Sequence, residues 1–132
     1  MSLPVGMGMT HVRVSIAKGL RGSSRRLSLL VDSGAIYSVL PRPTLLSVGI
    51  RPFRKETFRV ADGRRIVRDV GIAVFRCHGT AAATQVIFGE RGDASVLGVM
   101  ALEELGLERN PRSGRVRKAE LLLLGVGTAA GI

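Results

Sequence analysis

The feature that most constrains the fold is an apolar run, Leu29-Leu30-Val31, that leads directly into Asp32. A strand with apolar residues on both faces is typical of the centre of a sheet, so residues 27–32 predict a central strand. Burying a carboxylate at the end of such a strand is unfavourable unless hydrogen bonds or a shared proton compensate. The chain has only ten acidic residues, so its placement here indicates a chemical role for Asp32.

Alternating residue patterns and frequent glycines predict an all-β fold. Residues 11–17 alternate with period two, as expected of a half-buried strand, and residues 83–88 predict a further strand. Residues 56–61 and 64–76 predict a long hairpin around Asp62-Gly63, a dipeptide preferred in two-residue turns. The 17 glycines of the chain favour many turns. We therefore expect a small closed β-barrel or folded sheet.

Helix is predicted in two short places. Pro41 and Pro43 allow one helical turn over residues 44–47. Residues 99–107 predict the one short C-terminal helix of an otherwise all-β fold, because Gly106 is a stop signal near its end. Residues 119–126, which include four consecutive leucines, predict a final strand.

Composition is typical of one soluble domain spanning residues 1–132. The chain carries 20 Lys and Arg against 10 Asp and Glu, a net charge of +10. The arginines are scattered along the sequence, which is typical of a solvated surface. An anionic substrate or a nucleic acid is the alternative, but no aromatic interleaving or nucleic-acid motif accompanies the charge. We therefore do not expect a nucleic-acid partner.

Cysteine and histidine usage argues against several other classes. The single Cys77 excludes an intrachain disulfide framework. Cys77 and His78 are adjacent on a predicted strand and point to opposite faces, so they do not form a thiol dyad. One Cys and two His make a closed metal site unexpected, and no cofactor is expected. Residues 1–9 lack a signal-peptide pattern and residues 121–132 are too short to span a membrane, so we expect a cytoplasmic protein.

Four elements, in order, resemble the single-domain aspartic peptidases of the retropepsin-like type (clan AA). Residues 31–35, Val-Asp-Ser-Gly-Ala, match the catalytic loop of that family. Residues 60–64 lie where the family has its flap hairpin, about residues 56–76 in this chain. Residues 96–98 match a hydrophobic-hydrophobic-Gly element that braces the loop, and the helix that follows is the predicted one at 99–107.

The resemblance implies a role for each of these residues. Asp32 is the expected catalytic residue, and the residues supporting its loop are Ser33, Gly34 and Ala35. The expected substrate-binding flap comprises Ala61, Asp62, Gly63 and Arg64. The expected brace comprises Val96, Leu97 and Gly98. From the residues alone, Ser33 can also be an ordinary turn hydroxyl, and Asp62-Gly63 can be an ordinary hairpin tip.

The chemistry of this family requires two carboxylates facing one water molecule. One carboxylate activates the water, and the other, protonated, donates a hydrogen bond to the scissile carbonyl. The chain has one such residue, Asp32, so the resemblance implies a homodimer acting on a polypeptide substrate. Ile36 and Val99 replace charged residues of the retroviral enzymes, so the closer match is to cellular and bacterial members. The alternative is a catalytically silent peptide-binding or dimerisation module with the same fold.

Overall fold

The computed structural model describes residues 10–120 and 124–127, and these are mostly β-sheet with two short helices. In chain order the elements are β1 (His11–Ala17), β2 (Ser24–Val31), β3 (Ser38–Pro41), α1 (Arg42–Ser47), β4 (Arg54–Arg59), β5 (Arg65–Cys77), β6 (Thr80–Gly89), β7 (Val96–Leu97), α2 (Val99–Glu104), β8 (Leu107–Arg109) and β9 (Val116–Lys118). The predicted predominance of β-structure is confirmed.

Seven strands form one sheet in the order β1-β2-β7-β3-β6-β5-β4, and β1 also pairs with β5. The short strand β7 lies between β2 and β3, parallel to β2 and antiparallel to β3. In this register Val31 lies beside Leu97, and Val39 lies beside Val96. The pairing therefore brings the end of β2, where Asp32 follows, next to the residues of β7. Strands β8 and β9 form a separate antiparallel pair.

The core lies on the inner face of the sheet and is built mainly from aliphatic side chains. Along β1, Val12, Val14 and Ile16 are buried, whereas His11 and Arg13 are exposed, as the period of two predicts. The largest fully buried side chains are Phe75, Phe88, Ile16, Leu40, Leu45, Ile50, Leu97 and Leu105. Full burial of one such side chain stabilises the fold by about 1.5–3 kcal/mol.

The described residues contain two helices, whereas the predicted fold class had one. Helix α1 is longer than the single predicted turn and begins at Arg42. Pro43 lies in its first turn, where proline is tolerated because the backbone N–H there has no partner within the helix. Helix α2 ends at Glu104, before the predicted end. Gly106 then adopts a left-handed φ of 66°, and Leu107 begins β8. Among the residues that the structure describes, no helix is both long and apolar enough to cross a membrane.

The predicted hairpin forms, but its turn is not the predicted two-residue turn. Strands β4 and β5 pair with Phe58 opposite Ile66. At the tip, the N–H of Gly63 donates to the carbonyl of Val60 (2.9 Å), and the N–H of Val60 donates to the carbonyl of Arg64 (2.9 Å). The tip is therefore a three-residue loop. A two-residue type I′ turn needs positive φ at both central residues, and only Gly63 has one, at 89°.

The final strand predicted at residues 119–126 is not formed in its described part. Strand β9 ends at Lys118, and residues 119, 120 and 124–126 are outside any strand, while residues 121–123 lie outside the described residues. Gly125 has a φ of 81°, which is incompatible with extended backbone. The hairpin of β8 and β9, which precedes these residues, was not predicted.

Candidate active site

Asp32 is the first residue after β2 and begins a tight turn. Its N–H donates to the carbonyl of Leu97 (3.0 Å), and its carbonyl accepts the N–H of Ala35 (3.1 Å). The N–H of Gly34 donates to Asp32 Oδ1 (2.9 Å). These bonds fix the carboxylate relative to the sheet through one oxygen. Within the described part of the chain Oδ2 accepts no hydrogen bond, so it is free to contact a water molecule.

The predicted brace lies directly beneath this loop. The N–H of Val99 donates to the carbonyl of Ala35 (2.8 Å), and the N–H of Met100 donates to the carbonyl of Ile36 (3.0 Å). The start of α2 therefore holds the second half of the loop, while β7 pairs with β2 before it. The structure brings the predicted residues Val96, Leu97 and Gly98 together with the Asp32 loop.

Position 98 requires glycine because two backbone segments lie close together there, and not because its dihedral angles are unusual. Its φ is −90°, which any residue can adopt. A Cβ at this position would lie 2.6 Å from the carbonyl carbon and oxygen of Tyr37. The N–H of Gly98 donates to Ser38 Oγ (3.0 Å), and Ser38 is 1% exposed. Sequence reasoning missed Ser38, although a hydroxyl in a short apolar strand is a usable signal.

The expectation that the Asp32 carboxylate is buried is wrong for the single chain. Asp32, Ser33 and Gly34 are all exposed, because the loop projects past the end of β2. The neighbouring Ile36 is 63% exposed and adds apolar surface beside the loop. An acidic loop and an exposed isoleucine therefore lie side by side on one surface.

An open cleft of about 560 Å³ extends from Asp32 to the hairpin of β4 and β5. Its apolar lining consists of Ala35, Ile36, Tyr37, Val39, Phe58, Val60, Ile66, Ile87, Ala94 and Val96. The rings of Tyr37 and Phe58 meet edge to face with their centroids 5.8 Å apart, which links the Asp32 loop to the hairpin. A cleft with apolar walls and one carboxylate at its edge suits an extended chain with apolar side chains.

The four predicted flap residues form the exposed tip of the hairpin and do not line this cleft. Asp62 Oδ1 accepts the N–H of Arg64 (2.9 Å), and Asp62 Oδ2 accepts Arg64 Nε (2.7 Å). Both hydrogen bonds lower the pKa of Asp62 below its usual value. In this state Phe58 and Val60, which precede the tip, contact the cleft instead of Ala61 and Gly63.

Sequence reasoning missed a partly buried ion pair on the cleft wall. Arg68 Nε donates to Asp93 Oδ2 (2.7 Å), and Arg68 Nη2 donates to Asp93 Oδ1 (2.9 Å). Asp93 Oδ2 also accepts the N–H of Glu90 (2.8 Å). The hydrogen bonds from Arg68 are the main cause of a lowered pKa for Asp93. The two charges neutralise each other and tie the loop before β7 to β5.

Arg42 holds the other side of the same loop. Its Nη2 lies 2.5 Å from Asp69 Oδ2 and 2.8 Å from Glu90 Oε2. Hydrogen bonds to Arg42 lower the pKa values of both carboxylates. Of the two carboxylates that line the described cleft, Asp93 is paired with Arg68 and Asp32 has no cationic partner among the described residues.

Cys77 and His78 do not form a reactive pair. Cys77 is buried, and burial raises the pKa of its thiol, which disfavours the thiolate. His78 is exposed in the turn after β5, with a φ of 50°. In residues 10–120 and 124–127, no three His, Cys, Asp or Glu side chains are grouped as metal ligands would be.

Comparison with known proteins adds no family assignment. No protein-family model matches the chain, and no curated protein matches it.

Proposed function

We propose that this protein is a retropepsin-like aspartic endopeptidase, active as a homodimer in which each copy contributes Asp32. The observation that carries the proposal is the Asp32 loop itself. Its carboxylate accepts the N–H of Gly34 (2.9 Å), its backbone is fixed to Leu97, and it lies at the edge of an apolar cleft of about 560 Å³. An acid held rigidly at the edge of a peptide-sized cleft is what water activation requires.

The strand pairings support the barrel of this family. Strands β1, β2, β7, β3, β6 and β5 are consecutive neighbours in the sheet, and β1 pairs with β5. Ser15 of β1 lies opposite Arg76 of β5 in that last pairing. Pairing between the first and the sixth strand supports closure of the sheet, with β4 as the outer arm of the hairpin.

The exposure of the Asp32 loop supports a second copy. One carboxylate cannot serve at the same time as base and as proton donor, and this cleft has one without a cationic partner. The exposed Ile36 beside Asp32 supplies apolar surface that an identical loop would bury. In an isologous contact across a twofold axis, the two loops meet and their carboxylates face each other.

In this dimer the two Asp32 carboxylates share one proton, because two ionised carboxylates about 3 Å apart repel strongly. The ionised carboxylate takes a proton from the water, and the protonated one donates a hydrogen bond to the scissile carbonyl. The N–H of Gly34 stabilises the negative charge at Oδ1. The activity therefore has a bell-shaped pH profile, with apparent pKa values that belong to the pair.

The substrate is an extended polypeptide lying between the Asp32 loop and the hairpin. Its main chain would pair with exposed backbone of the hairpin, as in strand addition. Apolar side chains would contact Tyr37, Phe58 and Ile66, which line the cleft. Most of the cleft lining is apolar, and of its charged residues Arg68 and Asp93 neutralise each other, which leaves Asp32 and Arg59. We therefore expect apolar residues on both sides of the cleaved bond.

The test is cleavage of a mixed peptide library by wild type and Asp32→Asn from acid to neutral pH. Glu104→Gln is the matched control, because it also replaces a carboxylate by an amide, on the exposed side of α2. We expect cleavage by wild type and Glu104→Gln and none by Asp32→Asn. Equal cleavage by Asp32→Asn would refute the mechanism. If dimeric wild type bound peptides without cleaving any, the silent binding module would be the correct interpretation.

A further inference from the structure

The outer face of the sheet carries a group of arginines from three neighbouring strands. Ser15 of β1 lies directly opposite Arg26 of β2 and directly opposite Arg76 of β5. Arg13 lies two residues before Ser15 on the same strand and therefore on the same face. All three arginines are exposed. The pairing of β1 with β2 and with β5 therefore brings Arg13, Arg26 and Arg76 together, although they are far apart in the sequence.

Two adjoining concavities run along this face, with volumes of about 280 Å³ and 560 Å³. They share Arg13, Cys77 and His78 in their linings, so they form one continuous surface feature, which we call the arginine groove. Its basic lining residues are His11, Arg13, Arg26, Arg76, His78 and Arg115. None of its residues lines the Asp32 cleft, so the groove is a separate site.

The charge of the arginine groove is not compensated locally. Among the residues that the structure describes, no Asp or Glu lines either concavity. Six carboxylates are engaged with cations elsewhere, namely Glu56, Asp62, Asp69, Glu90, Asp93 and Glu108. Arg76 donates one hydrogen bond to the carbonyl of Leu20, which holds its guanidinium in place and leaves other N–H groups available. A concave surface with four arginines and no acid attracts anions.

The shape and chemistry of the groove favour a phosphate-bearing chain. Guanidinium groups bind phosphate oxygens in a bidentate manner, and Ser15, a residue with a hydroxyl group, lies opposite both Arg26 and Arg76 in the sheet register. A concave surface of this volume suits a single polymer strand better than a flat bilayer. No Phe, Tyr or Trp side chain lines the described groove, whose ring side chains are His11 and His78, so most of the contact would be between the arginines and the phosphates.

We propose that the arginine groove binds single-stranded nucleic acid through its phosphates, without base specificity. From the sequence, a nucleic acid was only an alternative that the net charge suggested, because the arginines become a group only when β1, β2 and β5 pair. The proposal is independent of the peptidase activity, since the two sites share no residue. Its failure would leave the Asp32 mechanism unaffected.

The test is fluorescence anisotropy of a labelled oligothymidylate with the full chain at several salt concentrations. Four arginine–phosphate contacts predict a slope of log K against log salt of about −2.8, which is a weakening of about 50-fold between about 50 and 200 mM salt. Replacing Arg13 and Arg26 together by alanine should halve the slope to about −1.4. Both side chains are exposed, so the double variant should fold as wild type does.

The control is a double variant with the same change of net charge, Arg65→Ala with Arg91→Ala. Both arginines are exposed and lie outside the arginine groove. We expect the control to keep the wild-type slope. Equal slopes for the two double variants would overturn the proposal, because non-specific charge would then explain the binding. Tighter binding of polyglutamate or of anionic vesicles than of the oligonucleotide would also overturn it, in favour of an acidic protein or a membrane surface.

Discussion

Replacing Gly98 by alanine puts a methyl group against the backbone of the segment that follows the Asp32 loop. The new Cβ would lie 2.6 Å from the carbonyl carbon and oxygen of Tyr37 and 2.8 Å from the carbonyl oxygen of Ile36. Ordinary contacts of a Cβ begin at 3.4 Å, so the two segments must separate by about 0.8 Å. All three obstructing atoms belong to the backbone, so no side-chain rotation relieves the contact.

The expected loss of stability is about 3 kcal/mol, the upper end of the range for overpacking a well-packed site. Separation also stretches the hydrogen bonds from Val99 to Ala35 (2.8 Å) and from Gly98 to Ser38 Oγ (3.0 Å). Such a loss lowers the melting temperature of a domain of this size by about 10 °C. Because the segment carries Ile36 and Tyr37, the cleft is distorted as well.

Urea unfolding followed by circular dichroism measures this effect. Gly19→Ala is the matched control, because the nearest atom to its Cβ is 4.0 Å away and its φ is not positive. We expect Gly19→Ala to be as stable as wild type or slightly more stable. If Gly98→Ala unfolded at the same urea concentration as Gly19→Ala, the close packing of the brace against the Asp32 loop would be refuted.

Three further predictions concern Ser38 beside Gly98, Asp93 on the cleft wall and Gly63 at the hairpin tip. Ser38→Ala removes the acceptor of the buried Gly98 N–H and should destabilise the fold by about 1–3 kcal/mol in urea unfolding. Because hydrogen bonds from Arg68 lower the pKa of folded Asp93, the resulting stability is present above about pH 4 and lost as the pH falls through the folded value. The melting temperature of Asp93→Asn should therefore fall less steeply than that of wild type as the pH is lowered below about 4. Gly63→Ala forces a side chain into a φ of 89° and should cost about 1–2 kcal/mol, with Gly63→Asn closer to wild type.

The residues around Asp32 could be predicted from the sequence because their signals are local. An apolar strand followed by an acid and a glycine indicates the turn after β2, and the Gly34 N–H indeed caps Asp32 Oδ1. Val96-Leu97-Gly98 is a similarly local pattern, and its place beside β2 follows from the resemblance to a known order of elements. Strand positions along β1 follow from the alternation of apolar and polar residues.

The features that the sequence did not reveal depend on contacts between distant segments. Arg68 and Asp93 pair across 25 residues, and neither has a local pattern that distinguishes it from a solvated charge. The exposure of Asp32 depends on how far its loop projects beyond the sheet. The dipeptide Asp62-Gly63 fits a two-residue turn and a three-residue tip equally well. The register of β4 and β5 decides which of the two forms at residues 61–63.

The central claim, that two copies each supply Asp32 to one site, is tested most directly by mixing subunits. Wild type and Asp32→Asn are combined in equal amounts at constant total protein, equilibrated, and assayed on a peptide that wild type cleaves. Since a quarter of randomly assorted dimers would contain two Asp32 residues, we predict about a quarter of the wild-type activity. About half of the wild-type activity would mean that each chain acts alone, and it would contradict the account.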